Sequence, residues 1–231
     1  MKKIRTVLII ICVLLLLILL GKAYVYKNYN VEQVVNIKNE GSVVIKHKEV
    51  KDYLKYNGVK IRNDFKKYTY EEDDDSYILY NKEDDIVNMF AVYDVDTLLN
   101  IFIEYDNSLI NKDKVEKYLK DNNINNDMEL LNYIEKYKQD INFFSKDFDI
   151  KMDYYIKKYV EDVLPLAEEY KVIEGDYTGI IVYGNSYEEE KSIDVLLFED
   201  NRRIVLTFIG MDINEKNILD LVGTVVIYEE E

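Results

Sequence analysis

The chain has 231 residues, 48% of them hydrophobic, which is enough for one mid-sized domain or two small ones around a packed core. Its formal net charge is −15, and residues 24–231 hold all 45 acidic residues against 26 of the 30 basic ones. Such a surface repels nucleic acid and excludes it as a partner, because the densest basic group, Lys46, Lys48, Lys51, Lys55 and Lys60, reads as solvated positions.

Residues 7–20 are an unbroken apolar run behind Lys2, Lys3 and Arg5. Fourteen residues of helix cover about 21 Å, short of the roughly 30 Å of a bilayer core. Counting from Ile4 to Tyr26 closes the gap if Arg5 and Lys22 snorkel and Tyr24 and Tyr26 sit at the far interface. The expectation is a transmembrane signal-anchor: a single-pass protein of a bacterial cell membrane, touching the lipid bilayer through residues 4–26. Its N-terminus would be cytoplasmic and its C-terminal domain extracytoplasmic. The competing reading is a cleaved export signal, with Gly21 and Ala23 as the small residues and the cut after Ala23. Cys12 is the sole cysteine, so no intrachain disulfide forms.

Beyond this segment, residues 27–41 are polar, with Val31, Val34, Val35 and Ile37 suggesting a juxtamembrane stalk or short helix. Residues 42–45 read as a strand. Residues 47–56 read as a helix with Val50, Tyr53 and Leu54 on one face, stopping at Asn57-Gly58. VKDYLKYNGV at 50–59 resembles VEKYLKDNNI at 115–124, through duplication or through convergence of two amphipathic helices with one stop signal. Residues 68–105 look extended: Tyr77 to Tyr80 alternate, 89–95 is apolar at nearly every position, and Leu99, Ile101, Ile103 and Tyr105 give one apolar strand face.

Two helices are expected next. Leu130, Ile134, Tyr137, Ile141, Phe144 and Phe148 recur at steps of four and three. Met152, Tyr155, Ile156, Tyr159, Val160, Val163 and Leu164 form a wider stripe ending near Pro165. YTGIIVYG, SIDVLLFED, RRIVLTFIG and GTVVIYEE then read as strands, with a tight turn over 198–203. The expected fold class is α+β: a mostly antiparallel sheet with a two-helix insertion packed on it, behind the transmembrane helix. The segments are 1–26, 27–41, a mixed part 42–125, a helical hairpin 126–170 and a β part 171–231, with 42–231 forming one domain as the alternative.

No site residue emerges. Glu71 to Asp75 are contiguous acids with no glycine following, unlike a calcium loop, which spaces its acids alternately. Asp94 with Asp96, and Asp212, Asn214 and Glu215, lack the later bidentate glutamate. His47, the only histidine, has no sequence partner for a zinc site or a nucleophilic triad. Gly175, Gly179 and Gly184 lack dinucleotide-loop spacing. The sequence therefore names no catalytic, cofactor-binding or metal residue and no cofactor. By elimination it points to a protein-binding or assembly domain with an envelope protein as partner. The alternative is a carboxylate-dependent hydrolase acting on an envelope polymer.

Overall fold

The computed structural model describes residues 2–30, 37–56, 58–64, 69–73, 76–80, 89–138, 141–164, 169–185, 191–199, 202–209 and 214–228. Alternating β-branched and aromatic residues build the central element. Strands β1 (Lys38–Ile45), β4 (Thr69–Asp73), β5 (Ser76–Tyr80), β6 (Met89–Val95), β7 (Glu169–Gly175), β8 (Gly179–Asn185), β9 (Lys191–Phe198) and β10 (Arg203–Ile209) form one eight-stranded sheet. Its order is β1-β7-β8-β9-β10-β6-β5-β4. Only β1 with β7 is parallel; every other neighbour is antiparallel. A three-stranded sheet joins β2 (Tyr53–Tyr56), β3 (Val59–Arg62) and β11 (Val226–Ile227).

The period of two divides the large sheet into two faces. Ile204, Leu206 and Phe208 of β10, with Ile193, Val195 and Leu197 of β9, pack into a core completed by the small sheet and by α6 (Glu215–Val222). On the opposite face Ile180, Val182 and Leu196 join a second core beneath α2 (Leu98–Glu104), α3 (Lys112–Asp121), α4 (Asp127–Glu135) and α5 (Asp147–Val163). The result is three layers. The mixed α+β character stands, and among the described residues four helices separate β6 from β7: one over 115–124 and two over 126–164 were expected, and α2 was read as strand.

Helices α2 and α5 are locked by aromatic packing and by two phenols that find backbone acceptors. Phe102 meets Tyr155 and Tyr159 edge-on, with centroids 5.2 and 4.9 Å apart. Tyr159 donates its hydroxyl to the Leu98 carbonyl at 3.0 Å, and Tyr155 donates to that of Phe102. The carboxylate of buried Asp127, from the start of α4, accepts from the amides of Leu98 and Leu99 at 2.9 Å each. It thereby satisfies donors that the first turn of α2 leaves open.

Several expectations are corrected. Residues 53–56 are strand, not helix: they pair with 59–62 as a hairpin, with Gly58 at φ +74° and Tyr56 opposite Val59. The resemblance between 50–59 and 115–124 therefore joins a β-hairpin to helix α3 and is no structural repeat. Residues 98–104 are helix, because Thr97 caps the amide of Asn100 and Leu98 and Phe102 are buried one turn apart. The apolar seam over 130–148 breaks when α4 ends at Glu135, and Phe144 is 88% exposed.

The transmembrane anchor is also withdrawn. Among the described residues no helix is long and apolar enough to cross a membrane. Helix α1 (Lys2–Tyr29) is long, but Lys22 and Tyr26, two of the positions recruited to extend its apolar run, are used against α5 and the loop before it. Lys22 pairs with Asp147 at 2.7 Å and donates to the Ser145 carbonyl. Tyr26 packs on Phe143 at 5.9 Å, and Tyr29 packs on Tyr154 at 5.5 Å. The remaining run is too short by the length argument above. The single-pass topology and the cell-membrane placement fall with the anchor.

Candidate functional site

The helices do not cover the sheet completely. Where α5 ends at Asp162, Val163 and Leu164, a cavity of about 360 Å³ opens over β6, β8, β9 and β10. That is within the range of small-molecule sites, about 300–1,000 Å³. Strand register arranges its floor in rows. Arg203 stands beside Val95; Val205 lies between Leu196 and Tyr93; Thr207 pairs with Asp194, which pairs with Val182. All these side chains line the cavity. A cation, an apolar band and a carboxylate therefore succeed one another along β9 and β10.

The charged groups differ from an ordinary ion pair. Asp194 Oδ1 and Arg203 Nε are both buried with no hydrogen-bond partner, and neither residue forms a salt bridge among those described. Buried polar atoms are normally satisfied, and an orphan costs about 1–3 kcal/mol. Burial raises the Asp194 carboxyl above the ordinary carboxylate range, against a smaller opposing hydrogen bond from the Thr207 side chain, which leaves Oδ1 without a partner. Burial likewise lowers Arg203, opposed by nearby Tyr159, Asp127 and Asp96. The Tyr93 phenol is raised by burial and by the charge of Asp194. At the rim, exposed Asp162 accepts a hydrogen bond from Tyr105.

The residues weighed from sequence lie elsewhere or have other partners. Glu71 to Asp73 belong to β4, whereas residues 74 and 75 are outside the described residues. His47 is exposed; its amide donates to Asp176 at 2.8 Å, and its Nδ1 lies 2.9 Å from the Tyr177 hydroxyl. Asn214 caps α6 by accepting from the Lys216 amide, and Glu215 holds Lys171 at 3.0 Å. Residue 212 is outside the described residues, and Asp96 is exposed. Lys48 is not simply solvated: it binds Asp220, which Lys48 first and Arg62 second hold down at about 2. Gly179 approaches the Leu196 carbonyl so closely that a Cβ there would lie 2.0 Å from the oxygen. Among the described residues no three His, Cys, Asp or Glu side chains are grouped to hold a metal.

Sequence reasoning passed over Asp194 and Arg203. A signal was present: each is a charged residue in a strand whose neighbouring positions are apolar, at SIDVLLF and RRIVLTFI. Both strands read as apolar on both faces, so a charge within them was already out of place; what the sequence could not show is that register and α5 bring the two charges to one cavity.

No family model matches the chain, and no curated protein matches it. A solved structure from Bacteroides thetaiotaomicron VPI-5482 aligns over 75% of this chain and 46% of its own, at 12% identity and a TM-score of 0.34. This chain thus spans less than half of that protein, and a score so low does not establish a shared fold.

Proposed function

We propose that this chain is a small-molecule-binding domain whose ligand seats in the cavity between the end of α5 and the β6, β8, β9 and β10 surface. One observation carries the reading: Asp194 Oδ1 and Arg203 Nε, two orphaned polar atoms of opposite hydrogen-bonding character, belong to residues lining one cavity of ligand size. A ligand that donates to the first and accepts from the second removes both penalties on binding. This reading replaces the protein-binding or assembly role expected from the sequence with a small-molecule ligand.

Hydrolysis is the second reading, favoured by two carboxylates, Asp162 and Asp194, on the same cavity, one of them with its acidity weakened by burial. A thermal-shift screen of polar small molecules against the full chain and Val205→Phe separates these outcomes. The binding reading expects compounds that raise the melting temperature of the parent but not of the filled-cavity variant. Shifts that persist in Val205→Phe would move the site elsewhere. Turnover of a screened compound that stops in both Asp162→Asn and Asp194→Asn would establish the hydrolase instead.

A further inference from the structure

Resting on the cavity being a binding site, we infer that its ligand is an elongated zwitterion: a carboxylate at one end, an ammonium at the other, and an apolar body between them. The floor carries this. Thr207, the β10 partner of Asp194, lies four positions beyond Arg203 on the same strand, so the two ends are separated by about 13 Å of backbone. The side chains shorten that gap, but the row between them remains apolar at Val205 and Leu196. A compact ligand satisfies one end and leaves the other orphaned. A neutral apolar ligand fills the middle and leaves both.

Charge places the ligand's ends. Arg203 is always a donor, so the group beside it is an acceptor, best an anion matched to the guanidinium. Asp194 in its ionised form is acceptor-only, so its partner is a donor, best a cation. With both ends filled, Asp194 Oδ1 and Arg203 Nε acquire partners that the protein itself does not provide. The Tyr93 hydroxyl supplies an additional polar atom in the wall, and Asp162 at the mouth discourages a second anion from entering.

Calorimetric titration of the full chain with the ω-amino acids from 4-aminobutanoate to 8-aminooctanoate tests the inference, with hexanoate and hexylamine as single-charge controls. The best ω-amino acid should bind at least tenfold more tightly than either control. Asp194→Asn should reduce it to the level of hexanoate, Arg203→Gln to that of hexylamine, and Asp194→Glu should restore part of the loss. Val205→Phe should abolish binding of every member, and Val163→Phe, which fills the same cavity from the end of α5, serves that purpose if Val205→Phe does not fold. If a single-charge control equals the best ω-amino acid and is lost in the filled-cavity variant, the zwitterion inference is wrong and the cavity site survives. If no compound binds, or if binding ignores the filling substitutions, the inference fails together with the site.

Discussion

Asp194 gives the sharpest expectation at the scale of single residues. Its carboxyl is raised in the fold above its value in the unfolded chain, so the folded state holds its proton to higher pH. Stability therefore falls as pH rises from the unfolded value through the folded one, and the penalty is fully present above both. Asp194→Asn should stabilise the empty protein at pH 7 by about 1 kcal/mol, the low end of the cost of a buried unpaired group. The gain should vanish below about pH 3.5, where the parent is protonated in both states. Paired urea melts at the two pH values measure this, and a variant less stable at pH 7 would mean that Asp194 Oδ1, like its other oxygen, has a partner. Asp127 is the opposite case. Both its oxygens accept amides of α2, so Asp127→Ala should cost about 2 kcal/mol in the same melts.

At the scale of elements, β8 and β9 depend on one close approach. A methyl at Gly179 would be driven into the Leu196 carbonyl, which is backbone and cannot rotate away. Gly179→Ala should therefore cost about 3 kcal/mol or prevent folding, read as loss of the cooperative thermal transition. A melting temperature within two degrees of the parent would contradict the register of that pair. These elements also show what was legible beforehand. Strands β8, β9 and β10 could be read from sequence because short runs rich in Val, Ile, Phe and Tyr are apolar on both faces, and helix α5 because its stripe keeps the helical period. Helix α2 could not, since Leu98, Leu99, Ile101, Phe102 and Ile103 satisfy both the period of two and that of 3.6. Its assignment is decided by Thr97 and by Asp127, the latter 29 residues away from the Leu98 amide it accepts. The 53–56 segment was misread because Asn-Gly ends helices and closes hairpins alike.

The candidate site was less legible than the fold. A cavity is what remains when two elements fail to cover a surface, so no local pattern in either element announces it. At the scale of the whole molecule, the three layers place α1 along α5, whose far end bounds the cavity. The described side chains from Ile11 to Leu20 are 46–66% exposed, and among the described side chains the docking contacts fall in the last turns of α1, at Lys22, Tyr26 and Tyr29. Replacing both Lys22 and Tyr26 by alanine should speed amide exchange over residues 22–29 and leave exchange in β9 and β10 unchanged. Acceleration throughout the sheet would show that α1 is integral to the core. The most direct measurement is a crystal structure of the full chain grown with saturating 6-aminohexanoate. The account predicts ligand density across the cavity, with the carboxylate against Arg203 and the ammonium against Asp194. A cavity closed by Arg203 and Asp194 reaching partners within the protein would contradict it.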